Sequence, residues 1–143
     1  MLTSAGFTGK TSGVVEALGT TNESRDVSLT IPAKPDYLVL ARLALAAVCR
    51  LTSLSPEEVA DLKLAITEAA NDFVEESSPE EEERRVDFSF RLLADRLLLV
   101  LEGDPAEVSS VEQELGWAII DATVDECEFG PGRTRLVKFL ASG

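Results

Sequence analysis

The pattern of apolar and polar positions divides the chain into strands and helices. In "DVSLTIPA" the residues Val27, Leu29 and Ile31 alternate with polar neighbours, the period-two signature of a half-buried strand, and Pro32 ends it. "KPDYLVLARLALAAVCRL" then predicts a helix, with Pro35 in its first turn and Asp36 supplying negative charge near its N-terminus. Wound at about 100° per residue, its apolar side chains cover almost the whole circumference and leave Arg42 and Arg50 on a narrow polar strip. Such a helix is buried on most sides or shared with a partner.

"SLSPEEVADLKLAITEAANDFVEE" predicts a second helix. Ser55 is placed to cap it, Pro56 suits its first position, and Glu57 and Glu58 fall in its first turn. Val59, Leu62, Ile66, Ala69 and Phe73 form its core stripe, and "SSPEEEERR" ends it as a solvated acidic loop. "RVDFSFRLLADRLLLVLEG" predicts strands over 86–92 and 97–102 joined by a tight turn at Ala94 and Asp95. A polar connection, "DPAEVSSVEQE", leads to "LGWAIIDATVDE", whose helical spacing runs through Leu115, Ile119 and Ala122. Gly130, Pro131 and Gly132 then turn between two final strands in "CEFGPGRTRLVKFL". The order β-α-α-β-β-α-β-β carries no internal repeat. It predicts an α+β, two-layer α/β sandwich: a mixed, mostly antiparallel sheet with three helices on one face.

Composition narrows what such a fold does. Residues 1–25 are rich in Gly, Ser and Thr and read as a disordered leader, which leaves 26–143 as one domain. A net charge of −13, from 13 basic against 26 acidic residues, argues against a nucleic-acid surface and favours a basic protein partner. There is no histidine, so zinc sites and histidine-based nucleophilic chemistry fall away, and any catalysis must run on carboxylates. Cys49 and Cys127 lack metal-ligand spacing and read as buried thiols in a reducing compartment. With no apolar run long enough for a membrane span and no signal-peptide pattern, the expected location is the cytoplasm.

The densest chemistry lies in "LAITEAANDFVEE", where Glu68, Asp72 and Glu76 recur at spacings of four. On a helix each step of four advances about 40°, so the three would form one acidic ridge bordering the apolar stripe. One reading is the charged flank of an amphipathic helix. The other is a site in which oxygen ligands hold Mg²⁺ on nucleotide phosphates while a neighbouring carboxylate accepts a proton from an attacking hydroxyl.

The wider pattern bears on that choice. "TIPAKPDYLVLARLALAAV", "DLKLAITEAANDFVEE", a hairpin ending in "LVLEGD", "ELGWAIIDATVDECEF" and "TRLVKFL" together resemble the anti-sigma factor serine kinases of bacterial partner-switching systems. These belong to the superfamily of histidine kinases, gyrases and heat-shock ATPases. The resemblance spans about residues 26–140. It implies the histidine-kinase-like ATPase fold and, from the family's Glu-x-x-x-Asn-x-x-x-His, a general-base role for Glu68. The Mg²⁺-binding Asn position is held by Asp72, with Asn71 one step early, and the His position by Glu76. The family's Asp-x-Gly-x-Gly corresponds to "LEGDPAE", where Glu102 or Asp104 stands for the Asp, Gly103 for a glycine, and Pro105 departs from the pattern. Its lid-opening Gly-x-Gly corresponds to "QELG", which keeps Gly116 alone, and only about ten residues stand where the family has a long lid loop.

An Arg on the family's first helix contacts both the sigma factor and its antagonist, and Arg42 is similar in position. Arg42 reads either as that anchor or as a solvated charge on an apolar helix. The resemblance therefore implies a cytoplasmic anti-sigma factor that holds a sigma factor and is released by an anti-anti-sigma protein. ATP and Mg²⁺ binding would be weak or lost, and pairing of two copies is open. The alternative is a working serine kinase that uses Mg-ATP to phosphorylate the antagonist.

Overall fold

The structure is a computed structural model that describes residues 25–75 and 84–141. The predicted leader, apart from Arg25, lies outside the described residues, as do Glu76 and the run of glutamates at 80–83. The elements are β1 (Arg25–Pro32), a 3-10 turn (Pro35–Tyr37), α1 (Leu38–Cys49), α2 (Pro56–Ala70), β2 (Arg85–Leu92), β3 (Arg96–Gly103), α3 (Ser110–Thr123), β4 (Glu126–Gly130) and β5 (Arg133–Phe139). The predicted order is the observed one.

The sheet runs β1-β2-β3-β5-β4, and every pairing is antiparallel rather than mixed. Strict alternation sets which face is covered. Val86, Phe88 and Phe90 of β2 and Leu97, Leu99 and Leu101 of β3 are buried, whereas Asp87, Ser89 and Arg91 are exposed. The buried face packs on Leu45, Leu62, Ile66 and Ile120 of the helices, so three helices lie on one face of the sheet. The open face is held by ion pairs such as Arg91–Asp26 and Arg135–Glu128.

Local chemistry explains the boundaries. Ser55 accepts from the Glu58 amide while Glu58 accepts from the Ser55 amide, a complete capping box that fixes where α2 begins. The helix ends at Ala70, earlier than the spacing predicts. The amides of Asp72 and Phe73 bond to the carbonyls of Ala69 and Ala70, three residues back, at 3.2 and 2.9 Å. This tighter winding swings Phe73 into the core at 2% exposure, and Glu75 then bonds through its amide to the Ala33 carbonyl. Asp72 therefore stands on a turn rather than on a helical ridge with Glu68.

The helix expected from Leu115 begins at Ser110 instead, capped by Ser109, whose hydroxyl accepts from the Glu112 amide at 3.1 Å. Its phase differs too: Leu115 is 62% exposed, and Gly116 and Ile120 face inward. A Cβ on Gly116 would lie 3.1 Å from Glu68 Oε1, a tight contact with the end of a flexible side chain where α3 faces α2. Cys49 is buried as expected, but Cys127 is only half-buried, on the outermost strand β4, with its Sγ 3.8 Å from Asp121 Oδ1.

Candidate functional site

The turn after α2, the loop 104–109, α3 and the β4–β5 hairpin converge on a cleft of about 220 Å³. One wall is aromatic: Trp117 of α3 stacks on Phe129 of β4 with ring centroids 4.5 Å apart and planes 12° off parallel. Phe73, Pro105 and Pro131 extend the apolar lining, and Asp72, Gln113 and Thr134 supply its side-chain polar groups. The lining holds no lysine or arginine.

Asp72 organises this corner. Its Oδ2 accepts from the indole Nε1 of Trp117 at 2.9 Å, and Gln113 stands close enough to favour the charged carboxylate. Its backbone carbonyl accepts from the Ala106 amide at 2.8 Å. Burial pushes the Asp72 carboxyl above its ordinary value, against the opposing pull of Trp117 and Gln113. The loop 104–109 is fastened further by the Glu107 amide on Glu75 Oε2 at 3.2 Å and by Arg84 Nη2 on the Asp104 carbonyl at 2.7 Å. Arg84 Nη1 stands 3.4 Å from Glu75 Oε1, an ion pair without hydrogen-bond geometry. The loop 104–109 is thus short and tethered, and contributes Pro105 to the lining.

The remaining residues singled out from the sequence scatter. Glu68 is half-buried against α3 beside Gly116, and Gly116 lies inside a helix rather than at the opening of a lid. Asn71 is the exposed C-cap of α2. Glu102 is exposed and pairs with Arg133 at 3.4 Å, and β3 alternation turns it away from the buried face. Asp104 is exposed and contributes only its carbonyl, to Arg84. Gly103 sits beside the hairpin turn: its amide donates to the Gly132 carbonyl at 3.1 Å, and an added Cβ would stand 2.9 Å from the Arg85 carbonyl. Gly132 has φ of 77° after Pro131, the order and sign that a type II turn requires. Of the predicted set, only Asp72 lines the cleft. Among the described residues, no three acidic or thiol side chains gather to hold a metal ion.

Arg42 lies away from the cleft. Its Nη1 reaches Thr67 Oγ1 of α2 at 3.5 Å, and large apolar side chains surround its helix face: Val39 is 45% exposed, Leu43 60%, and Leu64 of α2 45%. Sequence reasoning missed Trp117, Phe129, Gln113 and Thr134. Trp117 is the chain's single tryptophan, which was a signal available beforehand.

Comparison with known proteins places this geometry. Residues 31–137 match the family described as the histidine kinase-like ATPase domain. The serine-protein kinase RsbW of Bacillus subtilis (strain 168) is 30% identical over 111 residues, which covers 76% of this chain and 69% of the relative. RsbW of Bacillus velezensis is 29% identical over 73% of this chain and 66% of the relative. RsbW of Listeria monocytogenes serovar 1/2a is 29% identical over 63% and 59%. The chain thus spans from 59% to 69% of the length of these relatives. It belongs to the histidine kinase-like ATPase domain family, in its branch of anti-sigma factor serine kinases.

Proposed function

We propose that this protein is an anti-sigma factor of the cytoplasm that captures a sigma factor through its helical surface and is released by an anti-anti-sigma protein, with nucleotide binding weak or lost. The observation that carries the loss of nucleotide is the state of Asp72. The family's metal-ligand position holds a carboxylate on the turn after α2, its Oδ2 tied to the Trp117 indole at 2.9 Å, and its negative charge would repel the phosphates of a nucleotide.

Three further features weigh the same way. The cleft, at about 220 Å³, falls below the roughly 300–1,000 Å³ of pockets that enclose whole small-molecule ligands. Its lining offers no cation to a triphosphate. The six-residue strap 104–109 is tied down at Ala106, Glu107 and Asp104 rather than left free to fold over phosphates. ATP and Mg²⁺ do not suit these residues, and no phosphoryl-transfer step is derived through them.

The capture surface is the outer side of α1 with Leu64 of α2. Exposed large apolar side chains around one Arg make the composition that protein interfaces use for anchoring. The charge of −13 complements a basic, nucleic-acid-facing partner and would speed encounter with it. Leu40 of α1 and Leu51 just beyond its end, 42% and 56% exposed, with Val27 at 42% on the edge strand β1, offer a second set of apolar side chains on which two copies could pair.

The test is capture of candidate sigma factors by the purified protein without nucleotide, followed by challenge with candidate anti-anti-sigma proteins. The reading predicts stable capture and displacement with no ATP present. Capture of no sigma factor, or release that requires ATP hydrolysis, contradicts it.

A further inference from the structure

The cleft's lining points to a ligand of the opposite sign from a nucleotide. Its one ionisable side chain is the Asp72 carboxylate. Three aromatic rings, Phe73, Trp117 and Phe129, stand around it. Thr134 is 2% exposed and lines the same space, adding a hydroxyl beside the carboxylate.

Aromatic faces attract cations through the ring quadrupole, indole most strongly, and a planar guanidinium also stacks on them. A carboxylate has about four lone-pair sites, so Asp72 keeps acceptor capacity beyond the bond from Trp117. The volume, about 220 Å³, suits one side-chain head better than a whole cofactor.

We propose that this cleft is a binding site for a guanidinium group, supplied by an arginine of a protein partner, which stacks on the Trp117–Phe129 wall and is held by Asp72 and Thr134. The proposal rests on the reading that the cleft does not hold a nucleotide. It adds a second recognition point on the far side of α2 from Arg42: one presents an arginine, the other receives one.

Because Trp117 is the only tryptophan, its emission reports this site directly. The experiment titrates the full-length protein with N-acetyl-arginine amide, with the neutral isostere N-acetyl-citrulline amide, with free zwitterionic arginine, and with Mg-ATP. The expected result is a saturable emission change with N-acetyl-arginine amide and none with the citrulline probe. Asp72→Asn, which keeps an acceptor for the Trp117 N–H, should weaken the arginine response at least tenfold while the melting transition stays cooperative. Equal responses to the arginine and citrulline probes, or no saturation with either, would overturn the proposal and leave the partner-switching reading standing. Tighter binding of free arginine than of the capped probe would overturn the protein source of the guanidinium. A saturable response to Mg-ATP would overturn both this proposal and the loss of nucleotide binding.

Discussion

Asp72 shows how one residue's surroundings decide its role. A carboxyl whose pKa rises on folding binds its proton more tightly in the folded chain, so its contribution to stability is full at low pH and is lost as pH rises through the folded value. At neutral pH the charged Asp72 therefore weighs against the fold. Asp72→Asn removes that charge and retains an acceptor for Trp117, so its Tm should exceed wild type at pH 7. The difference should shrink as pH falls toward the ordinary carboxylate value of 3.8, and thermal melts across pH will check it. An unchanged Tm difference at every pH would place the effect elsewhere. Gly103 makes a second case. A Cβ there would meet the Arg85 backbone carbonyl at 2.9 Å, which no side-chain movement relieves, so Gly103→Ala should cost about 1–3 kcal/mol in denaturant unfolding. Arg42 makes the third. Among the described residues its one hydrogen bond is the 3.5 Å contact to Thr67, so Arg42→Glu should leave stability within about 0.5 kcal/mol of wild type while abolishing sigma-factor capture in a binding assay. Unaltered capture would remove Arg42 from the interface. The residue identities in this corner were legible only in part. Spacing by four put Asp72 beside Glu68, but the tertiary contacts that spend its carboxylate on Trp117 come from residues more than forty positions away.

At the level of elements, the local signals were strong where they were redundant. Ser55, Pro56 and Glu58 fix the start of α2 through cap, preset φ and reciprocal bonds, and alternation along 85–92 fixes the buried face of β2. Ser55→Ala removes one half of the capping box and should lower stability by about 1 kcal/mol, measured by chemical denaturation. The ends were less legible. Helical spacing continues past Ala70, yet burial of Phe73 wins and converts the next residues to a tight turn. In α3 the apolar residues gave the wrong phase, because the position that packs is Gly116, which carries no hydrophobic signal at all, while Val111 and Leu115 remain 74% and 62% exposed. A buried glycine is invisible to hydrophobic periodicity.

The whole molecule keeps the family's two layers beside a cleft of about 220 Å³. Trp117 and Phe129 occupy one wall, Asp72 fastens Trp117, and the strap 104–109 is bonded back to the turn after α2. Exposed apolar side chains gather on the outer side of α1 next to Arg42, with Val111 and Leu115 exposed separately on α3. On the proposed function, this scaffold holds proteins through α1 and no longer holds a nucleotide. The most direct measurement of that claim is the thermal stability of the purified protein with and without Mg-ATP at millimolar concentration. A ligand present at 100 times its Kd adds about 2.7 kcal/mol to a folded protein, enough to raise Tm by several degrees in a domain of this size. The account predicts no shift; a clear rise of several degrees that depends on Mg²⁺ would contradict it.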